Sequence, residues 1–195
     1  MKKTISYWSP HISKVATIKA VYNSAISLNY FSKERFKPEI LDAFGEWEKF
    51  YNKNSKDFIK FHRLTKFSFL HKLSSEGFVL SRLKYIIIFL ISFFPLKKYL
   101  KNKKPEYLLI HLITSLPLFL NLIFKFESKI ILRISGKPKM NFLRYIFWKI
   151  ALKKVYKITF PTYETLNNFK KLKVTEDHKL IVIYDPIIRT KEIIL

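Results

Sequence analysis

The fold is decided by the stretch Val155-Tyr-Lys-Ile-Thr-Phe-Pro-Thr-Tyr-Glu-Thr-Leu166 and by Lys179-Leu-Ile-Val-Ile-Tyr-Asp-Pro186, which follows it. Residues 155–160 are β-branched and aromatic enough for a buried strand, and Thr162 can cap the helix that follows. Residues 180–183 are apolar enough for a second buried strand. A strand, a helix and a strand at this spacing predict two parallel strands joined by a right-handed crossover, and therefore an α/β fold.

The same alternation extends toward the N-terminus. Residues 4–8 and 38–41 are candidate strands, and between them lies a helix with apolar residues at helical spacing: Val15, Ile18, Tyr22, Ala25 and Leu28. Residues 57–61 and 66–70 also suit strands, with a turn at 52–55. Residues 78–94 favour a helix that Pro95 breaks or kinks.

Two further segments carry a family resemblance. They are Tyr107-Leu-Leu-Ile-His-Leu-Ile-Thr-Ser115 and Ile130-Ile-Leu-Arg-Ile-Ser-Gly136. Together with the stretch quoted first, they resemble the N-terminal domain of family 4 glycosyltransferases, enzymes of the two-domain GT-B architecture. The first segment is similar to the family's strand with a His-bearing loop, and the second to the next strand and its Gly turn. The resemblance implies an α/β domain with a Rossmann-like parallel sheet flanked by helices over residues 1–186, with 187–195 as the start of an interdomain linker or a truncated tail.

The resemblance also implies an activity. Family members transfer a sugar from a nucleotide-sugar to an acceptor, without a metal, and their second domain binds the donor through a Glu-x7-Glu motif. That domain is not found in this sequence. We therefore expect the acceptor-binding half of a hexosyltransferase-like enzyme acting on a lipid-linked or polysaccharide acceptor, with the nucleotide-sugar bound by a missing domain or a partner subunit and no cofactor on this chain. The alternative is a non-catalytic, membrane-associated subunit or binding module that partners a separate donor-binding chain.

Site residues are expected in loops at the carboxyl ends of the strands, because open α/β sheets bind ligands there. The resemblance aligns His111 with the family's loop histidine, and the other acceptor-binding candidates are Thr114, His11, Ser13 and Lys14. Candidates for a phosphate or cleft loop are Arg133, Ser135, Gly136 and Lys137. Structural roles stay open: a hydrogen-bonded histidine at 111, an ion pair at 133 and a left-handed turn at 136.

Some chemistries find no support in the sequence. The chain has no cysteine, which excludes disulfides, thiolate nucleophiles and cysteine zinc sites. His62, His71 and His178 lack companions at metal-ligand spacing, so no metal site is expected. The basic N-terminus has no sustained apolar stretch and predicts no secretion signal. These features favour a cytoplasmic protein.

The charge is extreme, with 37 Lys and Arg against 14 Asp and Glu and a formal net charge of +23. Anionic membranes, lipid-diphosphate acceptors and nucleic acid are natural neighbours of such a chain, and a codon-biased genome is the alternative explanation. The basic residues are spread over every predicted element, which argues against a nucleic-acid recognition helix.

The apolar run 85–96 raises the question of membrane contact. It is shorter than the roughly 20 residues needed to cross a bilayer. Basic residues that could meet anionic headgroups at the inner face of the plasma membrane flank it: Arg82, Lys84, Lys97, Lys98 and Lys101. A helix buried against the sheet is favoured over membrane docking, because apolar runs of this length usually form core helices. The predicted helix 140–153 is also amphipathic and basic, with a solvated face or a lipid contact left open.

Overall fold

A computed structural model describes residues 3–12, 16–33, 35–51, 59–67 and 78–185. In these ranges the strands are β1 Lys3–Trp8, β2 Phe36–Asp42, β3 Lys60–Arg63, β4 Tyr107–Ile110, β5 Lys129–Arg133, β6 Lys157–Phe160 and β7 Leu180–Val182. The α-helices are α1 Ala16–Phe31, α2 Glu48–Tyr51, α3 Phe78–Lys103, α4 Ser115–Ile123, α5 Phe142–Ala151 and α6 Tyr163–Lys170.

The described strands form one sheet in the order β3-β2-β1-β4-β5-β6-β7. Every neighbouring pair is parallel, with Tyr7 opposite Ile40 on one side and Leu109 on the other. Helices connect most of the strands, as parallel pairing requires. The expected α/β class with a Rossmann-like parallel sheet is confirmed.

Helices cover the two faces of the sheet unequally. On one face, α1 packs Ile18, Val21 and Tyr22 against Ile5 and Ile40 of β1 and β2. On the other face, α3, α4, α5 and α6 share one core with side chains from the central strands, including Trp8, Leu108, Leu132 and Phe160. The alternation of strand side chains between two faces separates these two clusters.

A break or a kink was predicted at Pro95, and the break does not occur, because α3 continues through this proline. Proline lacks the N–H that would donate to the carbonyl group of Ile91, so the helix loses one hydrogen bond. Beyond the proline, Leu96, Tyr99 and Leu100 are buried in the core or against it. Their burial outweighs one missing bond, and the helix continues to Lys103.

Other boundaries differ from the predicted ones. Strand β3 begins at Lys60, so Ile59 of the predicted strand is not part of it, and residues 57–58 lie outside the described ranges. Lys66 and Phe67 are not in a strand. The predicted helix 140–153 is a shorter α5 followed by a 3-10 turn at Leu152–Lys154, with Asn141 accepting a hydrogen bond from the Arg144 N–H at 2.8 Å. The turn at 52–55, residues 68–70 and the tail 187–195 lie outside the described residues.

Candidate functional site

The strand order reverses between β1 and β4. The chain leaves β1 toward α1 on one face of the sheet and leaves β4 toward α4 on the other face. The two loops therefore diverge at the carboxyl ends of these strands, which is where a sheet of this topology is expected to form a crevice. Such a switch point is where open α/β sheets bind their ligands.

The loop after β4 is held in an unusual conformation. Ile113 has φ 47°, in the left-handed region that β-branched residues rarely adopt. The indole Nε1–H of Trp8 donates to the Ile113 carbonyl oxygen at 3.1 Å, and the His111 N–H donates to the Trp8 carbonyl oxygen at 2.9 Å. Two contacts from β1 thus fix the strained loop, and strain of this kind is concentrated at functional sites.

Thr114 occupies the N-cap position of α4, but its side chain makes no capping hydrogen bond. Its backbone is already helical, with φ −69° and ψ −20°. A capping residue normally has an extended backbone that points its hydroxyl group at the first free N–H groups. The side chain of Thr114 therefore does not cap α4, and Thr114 stays a predicted acceptor contact.

His111 is an uncharged imidazole at neutral pH. Burial and, to a lesser extent, the nearby positive charge of Arg133 together lower the pKa of His111 to about 3. Its Nε2 atom is buried and has no hydrogen-bond partner within the described part of the chain. The ring of Tyr7 stacks on it with a centroid distance of 6.1 Å. His111 can therefore exchange a hydrogen bond with a ligand, but it does not offer a positive charge.

Arg133 ends β5 and is buried, with 6% of its surface exposed. Its Nη2 lies 2.6 Å from Asp185 Oδ1, and its Nη1 donates to the Ile183 carbonyl oxygen at 2.6 Å. The structural ion pair left open by the sequence is thus present. Arg133 and His111 both line a cavity of about 380 Å³ on the α1 face of the sheet, so the structure brings these two predicted residues together.

His11 lies in the loop after β1, on the other side of the crevice. Its Nδ1 is 3.4 Å from the Ser9 carbonyl oxygen, and its ring meets Trp47 edge-on at a centroid distance of 5.0 Å. Burial lowers the pKa of His11, although Ser9 and the charge of Asp42 oppose this effect. Ser13 and Lys14, predicted in the same loop, lie outside the described residues.

The loop after β5 contains Ser135, Gly136 and Lys137, all of them exposed. Gly136 is not in the left-handed region, and a Cβ atom built on it would meet no atom within 4 Å. The left-handed turn considered for this glycine is therefore wrong. Gly45, which the sequence analysis did not single out, is the described glycine with a positive φ, 101°.

Gly45 belongs to a cluster at the carboxyl end of β2 that sequence reasoning missed. Asp42 accepts hydrogen bonds from the Gly45 N–H and the Tyr51 hydroxyl group. The Glu46 carboxyl group accepts from the N–H groups of Ala43 and Phe44 at 3.0 and 2.8 Å. The cluster fixes the turn that carries Trp47, the contact of His11. The run Asp42-Ala-Phe-Gly-Glu46 at the end of a strand is typical of a turn, and this pattern could have indicated the cluster.

Burial of its carboxyl group raises the pKa of Glu46 well above the ordinary value, and the hydrogen bond and negative charge of Asp42 raise it further. Among the residues that the structure describes, no group of three or more His, Asp or Glu side chains is placed to hold a metal ion.

The predicted membrane-facing residues of α3 divide into two groups. Lys84 is 2% exposed, so its assignment to the outer surface is wrong: it lies on the inward side of the helix with Ile88. Arg82, Lys98 and Lys101 are exposed, and Lys97 Nζ lies 3.9 Å from the centroid of the Phe124 ring. No helix in the described ranges combines the length and apolarity needed to span a membrane.

No protein-family model and no curated protein matches the sequence. Solved structures do match the fold. A glycosyltransferase from Rickettsia africae ESF-5 has a TM-score of 0.66 at 13% identity, and the match covers 94% of this chain and 43% of that one.

Two other solved structures have the same fold. Phytolacca americana UGT2, complexed with UDP-2fluoro-glucose and pterostilbene, has a TM-score of 0.61 at 10% identity, and the match covers 97% of this chain and 55% of that one. UDP-GlcNAc 2-epimerase from Neisseria meningitidis has a TM-score of 0.58 at 14% identity, with 96% and 47% covered. The chain thus spans about half the length of the solved structures it matches, and it has the Rossmann-like α/β fold found in one half of GT-B glycosyltransferases.

Proposed function

We propose that this chain is the acceptor-side half of a GT-B glycosyltransferase that uses a nucleotide-sugar and a lipid-linked or polysaccharide acceptor. The observation that carries the proposal is the switch point between β1 and β4, where the His11 and His111 loops leave the sheet on either side of the expected crevice. The donor site belongs to a second domain or a partner subunit. The Rickettsia glycosyltransferase and Phytolacca UGT2 support this class, and each is about twice as long as the matched chain.

The chemistry of the crevice favours a sugar over a nucleotide. Sugar hydroxyl groups both donate and accept hydrogen bonds, which suits the neutral imidazoles of His111 and His11. A diphosphate prefers cationic side chains or bare backbone N–H groups. Arg133 already pairs with Asp185. The exposed Gly136 does not have a backbone conformation that requires glycine, so its loop is not one that needs a bare backbone at this position.

The epimerase shows that the same fold also serves an enzyme of another class. Its structure contains bound UDP-GlcNAc, so a nucleotide-sugar is the ligand against which an acceptor must be compared.

Saturation-transfer NMR on the full chain tests the proposal with two kinds of probe. Octyl β-D-glucoside and octyl β-D-galactoside, below their micelle concentrations, represent a sugar on a lipid, and UDP-GlcNAc represents the donor. We expect saturation of the sugar-ring protons of the glycosides and little saturation of UDP-GlcNAc. The His11→Ala variant should weaken glycoside binding about tenfold, which corresponds to about 1.4 kcal/mol.

His178→Ala is the matched control, because His178 is exposed and lies in the 3-10 turn before β7, away from the crevice. It should bind the glycosides like the unmodified chain. Strong saturation of UDP-GlcNAc with none of the glycosides would contradict an acceptor-side role.

A further inference from the structure

The outward side of α3 carries an apolar stripe. Leu83, Ile86, Leu90 and Phe94 follow at spacings of three or four residues, and all four are exposed, Leu90 by 64% and Phe94 by 71%. At 1.5 Å per residue the stripe is about 17 Å long. The inward side of the same helix is separately apolar, so the outward stripe is not needed for the core.

Helix α5 repeats this arrangement. Trp148 and Ala151 face the core, while Phe142 and Leu143, each 76% exposed, point outward. Ile146 and Ile150 continue the outward stripe at helical spacing and are also exposed.

Helix α4 lies between α3 and α5 and contacts both. Its Phe119 ring lies 5.8 and 6.4 Å from the rings of Phe89 and Phe93, and Phe119 and Ile123 are partly open to solvent. We call the outward sides of α3, α4 and α5 the outer helical face. Soluble monomers rarely expose apolar patches this extensive without a function.

The charge on this face has one sign. The sequences of α3, α4 and α5 contain no Asp or Glu. Lys97, Lys98 and Lys101 extend the α3 stripe beyond Phe94. Lys149 lies among the outward residues of α5, and the exposed Lys153 lies in the 3-10 turn that follows it. The occupant of the face must therefore be apolar in its interior and negatively charged around it.

We propose that the outer helical face docks on an anionic phospholipid membrane. A bilayer interface accepts apolar side chains below a layer of negative headgroups, which matches the stripes and their lysines. A second copy of this chain matches poorly, because pairing two such faces would bring like charges together. Vesicle binding requires neither sugar nor donor, so this proposal stands or fails separately from the proposed function.

Vesicle sedimentation with the full chain tests the docking surface. We expect the chain to bind phosphatidylcholine vesicles containing about 30% phosphatidylglycerol and to bind pure phosphatidylcholine at least tenfold more weakly. The Phe142→Ser, Leu143→Ser double variant should weaken binding to the anionic vesicles about tenfold. Both side chains are mostly exposed, so the variant should keep its thermal stability.

Matched controls lie on the opposite side of the sheet. Tyr30→Ser with Phe31→Ser removes two exposed aromatic side chains at the end of α1 and should change binding less than about twofold. For charge, Lys149→Glu with Lys153→Glu should weaken binding about tenfold, and Lys19→Glu with Lys33→Glu, within and directly after α1, should weaken it clearly less.

Three outcomes would overturn membrane docking. The first is equal binding to neutral and anionic vesicles, and the second is equal losses of binding in the test and control variants. The third is a stable dimer in size-exclusion chromatography that the Phe142→Ser, Leu143→Ser variant dissociates, because the face would then be covered by a second copy.

Discussion

The guanidinium group of Arg133 ties the end of β5 to the chain beyond β7. It pairs with Asp185 and with the Ile183 carbonyl group, 52 and 50 residues further along. The alternation of Arg133 with isoleucines predicts that it lies on a strand. Its partner Asp185 could not be predicted, because the ion pair depends on β6 and β7 following β5 in the sheet. The role of a buried charge thus depends on strand order, which local sequence does not contain.

Glu46 gives a test through pH. Its pKa is raised in the folded protein by burial first and by Asp42 next, so the folded state holds a proton that the unfolded chain has released. The stabilising contribution of the protonated Glu46 is therefore complete below about pH 4.5 and is lost as pH rises toward the raised pKa. The Glu46→Gln variant, which cannot ionise, should show a smaller loss of unfolding free energy with rising pH. Urea denaturation at several pH values measures this difference.

Glu48→Gln is the control for this experiment, because Glu48 is exposed and pairs with Arg63 at the surface. Its stability should follow the pH profile of the unmodified chain. If Glu46→Gln and the unmodified chain lose stability in parallel above pH 4.5, the raised pKa of Glu46 is wrong.

His11 and His111 were predicted as site residues on different grounds. His11 lies in the loop that follows a predicted strand, where open α/β sheets bind ligands, and the family resemblance aligned His111 with a loop histidine. The Asp42 and Glu46 cluster was not predicted. The carboxyl groups of Asp42 and Glu46 accept hydrogen bonds from backbone N–H groups of the turn between them. These hydrogen bonds depend on the three-dimensional path of the turn, which a local sequence pattern does not specify.

Helix caps allow a matched comparison between two threonines. Thr162 caps α6, because its hydroxyl oxygen accepts a hydrogen bond from the Thr165 N–H at 3.2 Å. In the reverse direction, the Thr162 N–H donates to the hydroxyl oxygen of Thr165. Thr114 holds the same position in α4 and makes no such bond. We expect Thr162→Ala to lower the unfolding free energy by about 1 kcal/mol and Thr114→Ala to lower it by less than about 0.5 kcal/mol. Urea denaturation of both variants measures the difference.

Equal losses in the two variants would mean that Thr114 also caps its helix. Both threonines precede an apolar helical pattern, which is where a capping residue is expected. Only backbone torsion angles separate them: ψ is 159° at Thr162 and −20° at Thr114.

Helix α3 shows why element boundaries escaped prediction. Of the two effects expected from Pro95, a break or a kink, the break does not occur, and α3 extends through Pro95 to Lys103. Local propensity disfavours proline inside a helix, whereas burial of Leu96 and Leu100 favours continuing it. The helix continues because these side chains pack in the core, and this packing depends on the strands beneath the helix.

The fold itself was predictable because its signal repeats along the chain. Each strand and helix unit alone is ambiguous, but a succession of such units allows few arrangements other than a parallel sheet. The uneven coverage of the two faces was not predictable. Periodicity shows that a helix has an apolar side, and it does not show which face of the sheet that side meets.

The net charge of +23 should make stability depend on salt. Repulsion among lysines is stronger in the compact fold than in the extended unfolded chain, so it lowers the unfolding free energy. Raising NaCl from about 0.01 M to about 0.1 M shortens the Debye length from about 30 Å to about 10 Å, and we expect the unfolding free energy to rise on the order of 1 kcal/mol.

Exchanging the exposed Lys98 and Lys153 for Glu lowers the net charge by 2 × 2 = 4, from +23 to +19, and should reduce the salt effect measured by urea denaturation. A fall in stability with salt would instead mean that surface ion pairs such as Lys170 with Asp177 dominate over repulsion.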